Sequence, residues 1–149
     1  MTITTAIANA EGRWVGEATL YLPGDPVRTT PSRAEIRNIA NGKFVTITYD
    51  WSFEGEPQSG LLLVGLESEN GPAAGSFVDS WHMGDKLMAC RGQATPTGLS
   101  VLGHYSVEGY PDWGWRTEVL LEPNLRVKMY NVSPEGEETL GFVLKYAGR

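Results

Sequence analysis

Nine turn signals, spaced almost evenly, cut this sequence into short pieces, and that spacing constrains the fold more than any other feature. They are PGDP at 23–26, NG at 41–42, EGEP at 54–57, ENGP at 69–72, GD at 84–85, TPTG at 95–98, EGYPD at 108–112, EPN at 122–124 and SPEGE at 133–137. Gly, Pro, Asn and Asp favour such sites because they tolerate or pre-set turn dihedrals. Between the signals lie segments of about ten residues, rich in Val, Ile, Thr, Tyr, Trp and Phe, the pattern of an all-β sandwich or barrel. Ten strands are expected, near 12–22, 32–39, 43–53, 58–67, 73–82, 86–93, 99–107, 113–121, 125–132 and 138–147. Only residues 2–10 read as helical. Asn41-Gly42 predicts a type I′ hairpin, since both residues accept positive φ.

Almost every connection is hairpin-length, so consecutive strands should pair antiparallel. A meander of this length closes on itself, which removes its exposed edges. The expected architecture is therefore one antiparallel up-and-down barrel over residues 1–149, with 1–10 as an N-terminal segment. Alternation assigns the faces. Trp14, Gly16, Ala18, Leu20 and Leu22 share one side of the first strand, and Val45, Ile47, Tyr49 and Trp51 share one side of the third. GLLLVGL, within the fourth, is apolar on both faces; its outer face calls for cover by the N-terminal segment or by a second subunit, as in a homodimer.

Composition narrows the function classes. The net charge is −6, and the twelve Lys and Arg are scattered, which disfavours a nucleic-acid surface. A single cysteine, Cys90, leaves no intrachain disulfide and no Cys-rich zinc site; it reads as a small core residue. The start MTITTAIANAEG has no basic segment followed by an apolar run, so it does not read as a secretory signal. No stretch reaches the ~20 apolar residues of a membrane helix. The expectation is a soluble, cytoplasmic protein.

The ordered segments resemble known families. GRWVGEA at 12–18 resembles the Gly-x-Trp opening of the calycin barrels, the lipocalin and fatty-acid-binding superfamily. WSFEGEPQSGLLLVG at 51–65, FVDSW at 77–81, WRTEV at 115–119 and MYNVSPEGEE at 129–138 more specifically resemble the bacterial domain of unknown function 1579. The resemblance implies a closed or nearly closed barrel with an internal cavity, and brings no activity with it. Gly12-x-Trp14-x-Gly16 is also similar to nitrobindin, a haem-binding barrel family with its ligand histidine on a late strand. The last strand here, TLGFVLKYAGR, has no histidine, so haem is not carried over and no cofactor is expected.

The candidate site residues follow from the faces. Asp79 shares a side with Phe77 and Trp81. If that side is inward, Asp79 is either a ligand anchor or general base, or a structural acid satisfied by neighbouring strands. Arg116 and Glu118 alternate with Trp113, Trp115 and Thr117. Periodicity puts the Trp side inside, whereas the family-like WRTEV pattern suggests that Arg116 or Glu118 faces the cavity; a one-residue shift separates the two. An inward Arg116 would pair with Asp79 or clamp a ligand carboxylate. His104 reads as structural, and with only His82 and His104 present no metal site is expected. His82 is expected to face solvent or to sit at a barrel rim.

The leading expectation is a barrel that binds a small apolar or amphipathic molecule. Asp79 and Arg116 would anchor it and Trp81, Tyr49 and Tyr105 would line the pocket, with Phe77, Glu118 and His104 completing the candidate set. One alternative is an enzyme using Asp79 or His104 as general base in hydrolysis or isomerisation. Another is an assembly module using the strand at 60–66.

Overall fold

The computed structural model describes residues 3–68 and 71–148. Glu69 and Asn70, half of the 69–72 turn read from the sequence, lie outside the described residues, as do Met1, Thr2 and Arg149. The described residues form one helix, α1 (Ile3–Ala10), and ten strands. These are β1 (Gly12–Leu20), β2 (Arg28–Ile39), β3 (Phe44–Phe53), β4 (Glu56–Leu66), β5 (Pro72–Asp79), β6 (Met88–Thr95), β7 (Gly98–Val107), β8 (Tyr110–Leu120), β9 (Arg126–Val132) and β10 (Glu138–Gly148). Each strand pairs antiparallel with the next, and β10 pairs with β1, which closes the barrel.

The inward faces are those the alternation assigns. Val45, Ile47, Tyr49 and Trp51 of β3 are all buried, and so are Trp14, Ala18 and Leu20 of β1. Phe77, Met129, Phe142 and Leu144 are fully buried at mid-barrel; each such side chain contributes about 1.5–3 kcal/mol by leaving water. Gly16 lies where the β1–β10 register shifts. A Cβ there would come within 2.0 Å of the Lys145 carbonyl oxygen, so its role is close approach of two backbones.

Helix α1 sits at one end of the barrel. Ala6 and Ala10 join the core, and the Trp14 indole donates to the Ala10 carbonyl at 2.8 Å. The helix does not cover the outer face of β4, where Leu61 and Leu63 stay half-buried.

Three local departures have physical causes. β2 begins at Arg28 and contains Pro31, which lacks an N–H. Its ladder to β3 starts only at Ala34, so Pro31 lies where β2 is laddered on the β1 side alone. The Asn41-Gly42 turn is a longer loop than a two-residue hairpin: the ladder ends at Ile39 and Phe44. Ala40, Asn41 and Gly42 all take positive φ, at 52°, 59° and 76°, held by N–H···O bonds from Gly42 to Ile39 and from Lys43 to Ala40. A two-residue loop with both φ positive falls instead at Glu54-Gly55, between the paired residues Phe53 and Glu56.

The third departure shapes the site. β5 was expected to run to His82 but stops at Asp79. One carboxyl oxygen of Asp79 accepts the backbone N–H groups of Trp81 and His82, both at 2.8 Å. This is the bonding by which an Asp caps a helix or starts an Asx turn. The chain curls, the Met83 N–H bonds the Asp79 carbonyl at 2.9 Å, and strand alternation ceases.

Candidate functional site

The end of the barrel opposite α1 opens into a cavity of about 630 Å³. Leu20, Leu22, Met83 and Met88 give it apolar walls, and Trp81, His82 and Trp115 are its aromatic surface. Tyr105 and Asn131 close one side, joined by a 2.6 Å hydrogen bond from the Tyr105 hydroxyl to Asn131 Oδ1. Gly141, at the β9–β10 register shift, makes room for Trp115: a Cβ there would lie 3.3 Å from the indole.

His82 does not face solvent, one of the two sequence expectations; it lies on the cavity wall at the open end of the barrel. The turn started by Asp79 swings its ring inward, into a cage of four aromatic rings. It stacks on Trp51 at 5.5 Å between centroids, meets Trp81 edge-on at 4.9 Å, and lies 5.2 Å from Trp115 and 4.7 Å from Phe142. Burial lowers the imidazole pKa from 6.5 to about 4, against a weaker upward pull from Asp79, so the ring is neutral near neutral pH. Its Nε2 is buried and has no hydrogen-bond partner among the described residues; the same is true of the Trp115 Nε1. Thr117 Oγ1 is likewise unpartnered but does not line the cavity.

Asp79 has neither a cation nor a place on the cavity wall. It is 1% exposed. Besides the two backbone N–H groups, its other oxygen accepts the Tyr49 hydroxyl at 2.6 Å and the Trp51 indole N–H at 3.3 Å. All four bonds use the group as acceptor, which is what a carboxylate offers. The Tyr49 phenol is pushed well above its ordinary pKa, first by burial and then by Asp79.

The other candidates separate by face. Phe77 is inside, stacked 6.5 Å from Trp115; Trp81, Tyr105 and His104 line the cavity. Tyr49 is inside but is committed to Asp79. The inward reading of Arg116 and Glu118 is corrected: Trp115, Thr117 and Val119 hold the buried side of β8. Arg116 instead grips Glu138 with two bonds at 2.7 and 3.0 Å, lies over the Tyr130 ring at 4.4 Å, and is 4.0 Å from Glu118. The Glu138 bond raises the guanidinium pKa and lowers that of its partner. The arrangement is an ion pair on the outer wall that reaches across β9 from β8 to β10.

A family model described as Protein of unknown function (DUF1579) matches residues 4–147. The chain belongs to this family. No curated protein matches the sequence. In this DUF1579 barrel no helix among the described residues is long and apolar enough to cross a membrane. Among the described residues no group of three His, Cys, Asp or Glu side chains is placed to hold a metal ion. Cys90 is buried on β6, where burial pushes its thiol up to about 11, and takes no part in the cavity.

Alternation places Trp115 on the inner side of its strand, where it lines the cavity. Sequence reasoning missed His82, Met83, Lys86, Met88 and Asn131. The signal for the first three was Asp79 itself, an acid placed to start a turn two residues before a histidine.

Proposed function

We propose that this barrel binds a small apolar or amphipathic molecule in the cavity at its open end, against the aromatic surface that Trp81, His82 and Trp115 form. The observation that carries this reading is the cavity of about 630 Å³ itself, with apolar walls and an aromatic surface of Trp81, His82 and Trp115; behind that surface lie two unpartnered ring nitrogens, each closed off from water by the packing around it. A buried polar atom left unpaired costs about 1–3 kcal/mol, and pockets typically combine apolar walls with a few such convergent polar groups. The indole N–H only donates, and the neutral imidazole Nε2 donates or accepts according to its tautomer. A small rotation of either ring would present its nitrogen to a hydroxyl, carbonyl or amide on an otherwise apolar ligand.

Catalysis through Asp79 as general base has less support, since its oxygens are saturated by four donors and it is set back from the cavity wall. The test is native mass spectrometry of gently purified protein, paired with titration of the apolar fluorophore phenylnaphthylamine. The expected result is saturable binding of the fluorophore, displaced by any co-purified molecule. A wild-type protein that carries no added mass and binds no fluorophore rules the reading out.

A further inference from the structure

The chain has 18 Asp and Glu against 12 Lys and Arg, yet its cavity has the opposite bias. Of the fifteen residues that line it, none is Asp or Glu, one is Lys86, and two are His82 and His104, the only histidines in the chain. Lys86 and His104 are exposed at the mouth, whereas His82 is held at depth. The turn from Met83 to Lys86 is closed by the Lys86 N–H on the Met83 carbonyl at 3.2 Å, which places the lysine beside the opening. All six ion pairs among the described residues use arginine, so Lys86 is held in none of them; Asp85, its neighbour in the same turn, is exposed and does not line the cavity.

Depth and mouth thus favour opposite ends of one molecule. The interior is aromatic and thioether, an apolar setting that disfavours any unpaired charge. The mouth offers a solvated cation with no competing acid in the lining. Resting on the ligand-binding reading above, we infer that the natural ligand is an organic anion, bound with its apolar body on the aromatic wall and its carboxylate, sulfonate or phosphate group outward at Lys86. An acidic protein otherwise repels such anions, so a cavity lining free of Asp and Glu is what admits them.

Two fluorophores that differ by one charged group test this: phenylnaphthylamine, which is neutral, and anilinonaphthalene sulfonate, the same ring system bearing a sulfonate. Each is titrated into wild type and into Lys86→Gln, an exposed substitution that leaves the core untouched. The expected result is that Lys86→Gln weakens the sulfonate by about two- to five-fold, the scale of a solvated ion pair, and leaves the neutral probe unchanged. Raising the salt concentration should reproduce the loss in wild type alone. If the neutral probe binds but the two probes respond alike to Lys86→Gln, the anion inference is overturned while the ligand-binding reading stands. If the neutral probe shows no saturable binding, the ligand-binding reading itself is overturned, and the anion inference with it.

Discussion

Tyr49 and Asp79 lie two strands apart, on β3 and β5, yet their hydrogen bond is 2.6 Å long because the residue between them on β4 is Gly60. A Cβ at Gly60 would sit 2.2 Å from the Tyr49 hydroxyl oxygen. The empty face of one glycine lets a phenol reach across a whole strand. Gly60→Ala should therefore cost about 1–3 kcal/mol through overpacking. Asp79→Asn should cost about 2 kcal/mol, because its amide presents N–H groups to the Trp51 indole N–H. Urea unfolding of both variants checks this; a Gly60→Ala protein as stable as wild type would show that the bond does not depend on the gap.

His82 makes stability depend on pH. Its folded pKa, about 4, lies below the ordinary 6.5, so between these values the unfolded chain binds a proton that the folded chain refuses. Stability should fall as pH drops from 6.5 towards 4, by up to about 3 kcal/mol from this group. His82→Phe keeps the aromatic cage and removes the titration. The variant should unfold with a flatter pH dependence over that window and, at neutral pH, gain about 1 kcal/mol by losing an unpaired buried nitrogen. Equal pH slopes for the two proteins would contradict the buried, neutral ring.

Arg116 offers a control on the outer wall. Truncating it to Ala removes a half-exposed ion pair with Glu138, so the expected cost is about 0.5–1 kcal/mol. Fluorophore binding in the cavity should not change. A large loss of binding in Arg116→Ala would restore the inward orientation of that side chain.

Cys90 should resist thiol reagents in the folded protein. It is 3% exposed and its thiol is pushed up to about 11, so almost no thiolate forms at neutral pH. Labelling with a maleimide should proceed only after denaturation, which mass spectrometry reads directly.

Ala40 carries a positive φ of 52°, a conformation that strains any residue with a Cβ. Ala40→Gly should stabilise the barrel by about 0.5–1 kcal/mol, because the relief of strain outweighs the added freedom of the unfolded chain. Thermal unfolding is sufficient to detect the shift.

The barrel was legible because its information is local and repetitive. Each of β1, β3 and β8 alternates side by side, and a periodic pattern tells inside from outside without knowledge of any neighbour. On β8 that pattern was the better guide, and the resemblance of WRTEV to its family was misleading about Arg116. The cavity was harder to foresee. In FVDSWHM the apolar and polar residues keep alternating past the point where the strand ends, so periodicity carried β5 three residues too far. What ends it is one carboxyl group taking two backbone N–H groups, a contest between a side chain and a ladder that composition does not show. The partners of Asp79 were equally hidden, because the reach from Tyr49 depends on which residue lies on the strand between.

The helix at one end has a kinetic consequence. Among the described residues, α1 and Trp14 cap that end and fully buried side chains fill the middle of the barrel, so the cavity is a vessel entered from the other end. An incoming molecule has no rear door through which to push out its predecessor. Exchange is then a queue: departure must precede arrival, and the release rate of a bound fluorophore in a chase experiment should stay constant however much competitor is supplied.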